Sequence, residues 1–226
     1  MENNSFVVLV ATEQHTKYSQ QICDEMESSA KARGTGIAKR SAEYISQKIC
    51  EGKAVIAYTK EGEWAGFCYI ETWSHGKYVA NSGLIVAPKF RKSGLATLIK
   101  KHIFKLSREK YPDSKIFGLT TGLAVMKINS ELGYEPVTYS ELTDDEDFWK
   151  GCQSCVNFDI LKSKDRKNCL CTAMLWDPAE KEKELKRKIE EKTKAKERLK
   201  NMQKKSSLLK RLVMKLKGSK IVTLFV

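Results

Sequence analysis

Leu84-Ile85-Val86-Ala87-Pro88-Lys89-Phe90-Arg91-Lys92-Ser93-Gly94-Leu95-Ala96 reads as a buried strand that passes through a proline-containing turn into the basic, glycine-bearing start of a helix. A helix start presents backbone N–H groups that have no partner within the helix, together with the positive end of the helix dipole, and the two favour a bound anion. Gly94 removes the side chain that would keep a phosphate at a distance, while Arg91 and Lys92 bring positive charge to the turn. The residues expected to cradle a pyrophosphate are therefore Arg91, Lys92, Ser93, Gly94, Leu95 and Ala96. Read physically, the same outline suits any phosphate-binding turn.

Working outward, Phe6 to Ala11 is a short β-rich run, and Lys17 to Ala32 carries Ile22, Met26 and Ala30 at helical spacing. Ser41 is a plausible N-cap for a helix running to Cys50. Ala54 to Thr59 and Trp64 to Trp73, separated by Lys60-Glu61-Gly62-Glu63, spell a hairpin, and Lys77 to Val86 adds a third antiparallel strand. Arg91 to Lys110 has helical apolar spacing (Leu95, Leu98, Ile99, Ile103, Leu106) and stops at Tyr111-Pro112. Lys115 to Thr120 predicts a strand, Leu123 to Leu132 a helix ended by Gly133, and Cys155 to Leu161 with Cys169 to Leu175 a closing strand pair. This order predicts an α/β fold with a mixed, mostly antiparallel central sheet flanked by helices. A domain over residues 1–178 is expected, followed by a charged helical tail over 179–226.

The stretch around Gly94 resembles the acyl-CoA motif of the GNAT acetyltransferases, which runs Arg or Gln, two residues, Gly, one residue, Gly or Ala; Arg91, Gly94 and Ala96 fill those slots. Leu84, Val86 and Pro88 match the strand and turn that lead into that motif, and the element order from Phe6 to Leu175 is similar to that of the family. The resemblance implies an N-acyltransferase with acetyl-CoA or another acyl-CoA as co-substrate. Leu84, Ile85 and Val86 would then offer backbone groups to the pantetheine arm, in a gap opened where their strand splays from Lys115–Thr120. It further implies an oxyanion-stabilising N–H near Val86. In that family a tyrosine four residues before the Gly of a Gly-aromatic pair protonates the departing sulfur. Here the pair is Gly133-Tyr134 and the residue is Asn129, a departure that leaves the acid unassigned; Asn129 as a catalytic candidate could still hydrogen-bond the sulfur or the pantetheine, or could lie on the helix surface. Glu71 and His75 are the titratable candidates for the base.

Acceptor specificity is sought in the loop Lys31 to Arg40, basic and Gly-rich, where Arg33, Lys39 and Arg40 could clamp carboxylates, as an acidic amino acid would present, or could simply be solvated. The run Gly34 to Arg40, with Thr120-Thr121-Gly122-Leu123 and Trp149-Lys150-Gly151-Cys152, is similar to stand-alone bacterial GNAT proteins associated with arginine biosynthesis, the N-acetylglutamate synthase-like group. This resemblance implies a small-molecule amine acceptor such as glutamate, with an acetyl or succinyl donor. Two alternatives remain: a protein N-acetyltransferase, and a non-catalytic CoA-binding module attached through its basic tail.

Cys152, Cys155, Cys169 and Cys171 form two close pairs, and four thiolates suit a structural zinc ion; free packed thiols or a redox pair are the other readings. Seven cysteines, with no basic and apolar leader in the first residues, predict reduced thiols and a cytoplasmic location. The net charge of +13 is uneven: Asp177 to Val226 holds 17 Lys and Arg against 7 Asp and Glu, a surplus of ten. The body is nearly neutral, so the charge gives no reason for it to bind nucleic acid. In the tail, Leu208, Leu209, Leu212, Val213 and Leu216 fall on one helical face between basic residues, a pattern open to a solvated or self-packed helix, a membrane surface, a partner protein or nucleic acid. Oligomeric state is not encoded in any of these features.

Overall fold

The computed structural model describes residues 6–34 and 39–218, with side chains placed through 214. The strands are β1 (Phe6–Val10), β2 (Ala54–Thr59), β3 (Trp64–Trp73), β4 (Tyr78–Val86), β5 (Lys115–Thr120), β6 (Glu135–Val137) and β7 (Thr172–Trp176). They form one sheet in the order β1-β2-β3-β4-β5-β7-β6, with β4 and β5 parallel and every other neighbouring pair antiparallel. The helices of the body are α1 (Ser19–Arg33), α2 (Ala42–Cys50), α3 (Leu95–Lys110), α4 (Leu123–Glu131), α5 (Glu146–Lys150) and α6 (Phe158–Ser163).

Both faces of the central strands are covered, so they read as continuous apolar runs. Val55, Ala57, Cys68, Ile70 and Val79 face α3, where Leu95, Ile99, Ile103 and Leu106 pack on them. Ala54, Ile56, Phe67, Tyr69 and Ile85 face the other way, onto Ile22 and Met26 of α1 and Ile45 and Ile49 of α2. A third cluster of Phe117, Tyr139, Leu142, Trp149, Leu161 and Leu175 closes the β5-β7 end. Each fully buried large side chain contributes about 1.5–3 kcal/mol. Ser41 caps α2 as its side chain accepts from the Tyr44 amide at 3.2 Å.

Three boundaries differ from the sequence reading for physical reasons. The helix expected from Arg91 begins at Leu95, because Lys92 (φ 62°) and Gly94 (φ 82°) are left-handed and cannot continue a right-handed helix. The run Cys155 to Leu161 is no strand. Its core is α6, with Leu161 buried and Val156 67% exposed, so one helical face rather than alternate residues meets the core. The partners of β7 are β5 and the three-residue β6, whose Pro136 is tolerated at the sheet edge.

A bulge in β4 matters for the site. Phe67 of β3 pairs with Ile85 and Tyr69 with Ser82, so two residues of β4, Gly83 and Leu84, stand opposite Cys68 alone. Gly83 has φ 63°, and a Cβ there would lie 2.2 Å from Met26 Cε and 2.5 Å from Tyr69 Cε1. Only glycine meets both demands.

Beyond Pro178 the chain is a separate compact unit, carried by α7 (Pro178–Gly218). Glu and Lys one turn apart pair along it, as Lys186 with Glu182 (2.7 Å) and Lys188 with Glu184 (2.6 Å). Leu208, Leu209, Leu212 and Val213 are exposed on it. The side chain of Leu216, also assigned to that apolar face, lies outside the described residues. No helix among the described residues is long and apolar enough to cross a membrane.

Candidate active site

β4 and β5 are paired only over Tyr78–Ala80 and Lys115–Phe117. From Asn81 and Gly118 onward the two parallel strands run without each other, leaving backbone groups on that side of Leu84, Ile85 and Val86 for another chain-like partner. The separation expected from the sequence is therefore present, and it begins at Asn81.

At the mouth of the opening lies the turn. The amides of Lys92, Gly94, Leu95 and Ala96 have no backbone acceptor among the described residues, and an added Cβ on Gly94 would meet nothing within 4 Å. Ser93 folds inward, its Oγ donating to Phe90 O at 2.7 Å. Amides free of backbone acceptors and open space at Gly94 thus stand together at the start of α3, the kind of N–H cluster that suits a pyrophosphate. Arg91 differs from expectation. Its guanidinium is not mobile charge but a brace, with Nε on Val86 O (3.2 Å) and one terminal nitrogen on both Glu25 (2.9 Å) and Ser29 Oγ (2.6 Å). It ties the turn to α1.

The three residues expected to clamp an acceptor go to three places. Arg33 lies within electrostatic reach of Arg91 and Glu25, on the phosphate side, and burial followed by Arg91 lowers its pKa. Lys39 pairs with Glu27 at 2.9 Å on the surface. Arg40 reaches inward, its Nε donating to Tyr69 Oη at 3.1 Å and one terminal nitrogen to Glu71 Oε1 at 3.4 Å. Thr35 to Ala38, in the middle of that loop, lie outside the described residues.

Glu71 is buried, and donors hold both its oxygens: Tyr44 Oη and Arg40 on Oε1, Lys48 Nζ at 3.2 Å on Oε2. Burial, then the hydrogen bond to Glu71, raises the Tyr44 hydroxyl far above its ordinary range. Next to this cluster a cleft of about 470 Å³ opens between α1 and α2, lined by Met26, Ala30, Lys39 and Arg40, with Ser154 and Val156 across from them. His75, the other candidate base, is an exposed residue at left-handed φ 56° in the turn after β3, away from these groups.

Asn129 is not on a helix surface. It is 1% exposed, its Nδ2 donates weakly to Met174 Sδ at 3.7 Å, and its Oδ1 has no donor. Gly118, the first residue of β5 beyond the paired segment, lies beside it: a Cβ there would be 3.6 Å from Nδ2. A second group escaped the sequence reading altogether. Lys100 of α3 is 2% exposed, and its Nζ sits 5.2 Å from the centroid of the Tyr134 ring. Tyr134 Oη donates to Asn81 Oδ1 (3.1 Å), and Asn81 Nδ2 to Ser107 Oγ (2.7 Å).

The four clustered cysteines gather around Tyr139, whose hydroxyl is pushed upward by burial first and then by Cys171, Cys169, Cys152 and Cys155. Cys169 and Cys171 precede β7 rather than lying on it, and α6 stands where a hairpin was expected. Among the described residues no three His, Cys, Asp or Glu side chains stand together as a metal site, so the expected zinc site is not formed by these side chains as placed. Burial, followed by the neighbouring thiols, raises Cys152 to about 11 and Cys171 to about 12.

No family model and no curated protein matches the chain. Its structure is similar to solved acetyltransferases. N-acetylglutamate synthase from Neisseria gonorrhoeae, solved with coenzyme A and N-acetyl-glutamate, superposes at a TM-score of 0.54 with 17% identity, over 76% of this chain and 35% of that one. A Mycobacterium tuberculosis protein solved with CoA gives 0.52 at 15% identity, over 76% and 98%. A GNAT-family acetyltransferase from Staphylococcus aureus gives 0.51 at 12%, over 62% and 91%. The chain thus spans about a third of the length of the synthase. The likeness shows the fold, a mixed seven-stranded sheet of the GNAT acetyltransferase kind.

Proposed function

We propose that this chain transfers an acyl group, acetyl or succinyl, from acyl-CoA to the amine of a small substrate, an amino acid such as glutamate. One observation carries the reading: two parallel strands that part at Asn81 and Gly118, with an open turn of unpaired amides at the start of α3 on the β4 side. The opening matches an extended amide-bearing arm, and the turn matches its diphosphate. The solved neighbours that hold CoA support the same donor.

The acceptor enters from the α1-α2 face. Its cleft is lined by three cations, Lys31, Lys39 and Arg40, and three carboxylates, Asp24, Glu27 and Glu43. Mixed charge suits a zwitterion better than a polycationic peptide, which favours an amino acid over a protein lysine. Arg40 receives the carboxylate in this reading, supported by its lining of the cleft and its reach to the buried Tyr69 and Glu71. Glu71 serves as proton acceptor once the incoming ammonium takes the place of Tyr44 or Lys48 at one of its oxygens. The attacking nitrogen then adds to the thioester carbonyl, whose oxygen is stabilised by a backbone N–H of the unpaired β4 segment.

The test is CoA release by the purified chain with acetyl-CoA or succinyl-CoA and a panel of glutamate, other amino acids and lysine peptides. Release with glutamate, lost in Arg40→Ala with intact CoA binding, is expected. Release only with peptides would move the acceptor to protein, and CoA binding without release would leave a binding module.

A further inference from the structure

Lys100 is a charged side chain in a slot built for an apolar one. It lies on the face of α3 that packs on the sheet, beside Ile99 and Ile103, which are fully buried. No carboxylate, carbonyl or hydroxyl accepts from its Nζ among the described residues; the nearest group of note is the face of the Tyr134 ring. Holding an amine within an apolar layer is costly, and methionine of equal length would remove that cost. Such expense is characteristic of functional sites.

Its surroundings locate it at the opening between β4 and β5. The Tyr134 ring beneath it is anchored to Asn81, the first unpaired residue of β4. The Cys68 thiol, its other electrostatic neighbour, donates to the carbonyl of Ser82, the next residue of that strand, at 3.3 Å. Lys100 is thus bracketed by groups tied to two successive residues where the strands part. Across the opening, beside Gly118, stands the buried and donorless Oδ1 of Asn129. The unpartnered Asn129 Oδ1 thus borders one side of the opening, and Lys100 approaches the other through Tyr134 and Cys68.

Deepening the acyl-CoA reading above, on which this rests, we propose that Lys100 is the proton donor to the sulfur that leaves when the thioester is cleaved, filling the role that the side chain of Asn129 cannot. The acceptor nitrogen forms its bond to the carbonyl carbon, the C–S bond breaks with its electron pair on sulfur, and a proton passes from Lys100 Nζ to that sulfur. Free CoA thiol and a neutral lysine amine result. On the opposite face Glu71 passes the ammonium proton to solvent before it accepts the proton of the acylated nitrogen, which it likewise releases to solvent; Lys100 takes one back from solvent, so no net proton is consumed.

The titratable groups that face Lys100 are Cys68 from β3 and Tyr134 from the turn after α4. Burial raises Cys68 to about 11 and lifts Tyr134 well above its ordinary range, so both stay neutral near pH 7. Burial lowers Lys100 to about 8, close to the ~8.5 of a free thiol, so a proton is shared between them without a large uphill step.

The decisive measurement needs no acceptor. Thiolate absorbance is followed against pH for CoA bound to the wild type and to Lys100→Met, with desulfo-CoA complexes subtracted to cancel the protein thiols. The bound thiol is expected to ionise about one pH unit lower in the wild type than in the variant, as an adjacent ammonium requires. With an acceptor in hand, Lys100→Met should lose roughly 100-fold in kcat with KM for acyl-CoA unchanged, and an aryl thioester, whose thiolate leaves unaided, should recover most of that loss. Equal thiol titrations in the two proteins, with CoA bound equally well, would overturn the role of Lys100 and leave the acyltransferase reading standing. CoA bound by neither protein would overturn both.

Discussion

The two halves of the β4-β5 pair are built to opposite rules. In the lower half, Tyr78–Ala80 and Lys115–Phe117 exchange backbone hydrogen bonds, and Val79 and Ile116 are buried within the apolar layer under α3. In the upper half the ladder stops, and the residues that border it are polar and buried: Asn81, Lys100, Asn129 and, through Asn81, Ser107. A fold optimised only for stability would zip the strands together and fill the wedge with Leu or Met. The contrast separates what holds this sheet from what it holds open, and single substitutions can test each half.

The largest effect is expected where the open half is set up by packing. Gly83→Val places a branched Cβ against Met26 and Tyr69 at a left-handed φ, and should cost about 4 kcal/mol in denaturant unfolding. A cost below 1 kcal/mol would mean that the bulge relaxes freely and does not fix the opening.

Next comes the charge inside it. The Lys100 pKa falls from an ordinary 10.5 to about 8 on folding, so between those values the unfolded chain binds more protons. Stability from this group is therefore lowest below pH 8 and rises through pH 10.5, by on the order of 3 kcal/mol. Cys68 works the other way: its pKa rises from 9.0 to about 11, so its contribution falls between those two values. The difference between wild type and Lys100→Met separates the two. The variant should be the more stable at pH 7, with the gap closing by pH 10.5; a gap that does not vary with pH would remove the buried ammonium from the account.

The smallest of the three concerns the mouth. Gly94→Glu puts an acidic side chain into the empty space before the N–H groups of α3, and should weaken CoA binding by ~100-fold in calorimetry while the thermal midpoint moves little beyond the strain of its left-handed φ. Unchanged affinity would dissociate the turn from the opening behind it.

What the sequence disclosed follows the same division. Strands such as Ala54–Thr59, Trp64–Trp73 and Lys115–Thr120 were readable because apolar runs between turn residues need only local chemistry. The turn at Gly94 was readable because a helix start announces itself. Lys100 was not: it is followed by Lys101 and His102, and three consecutive polar residues on a helix read as a solvated face until α3 is docked. Arg33, Lys39 and Arg40 looked like one basic clamp because they share a loop; the turn out of α1 distributes them to three environments. Val156, Phe158 and Ile160 alternate as a strand should, yet it is Phe158 and Leu161, neighbours on a helical face, that pack on the Trp149 cluster, and α6 forms instead.

Gly83 also has an arithmetic consequence. Along an unbroken strand, odd and even residues keep to opposite faces. Before the bulge, odd-numbered Val79 and Asn81 look toward α3; after it, even-numbered Val86 does so, and odd-numbered Ile85 has crossed to the α1 side. The inserted residue reverses parity. Without it, Ile85 and Val86 would exchange faces, and the turn that follows would set out half a pleat out of phase. The one position in β4 with no side chain of its own thus decides where every later side chain of the strand points.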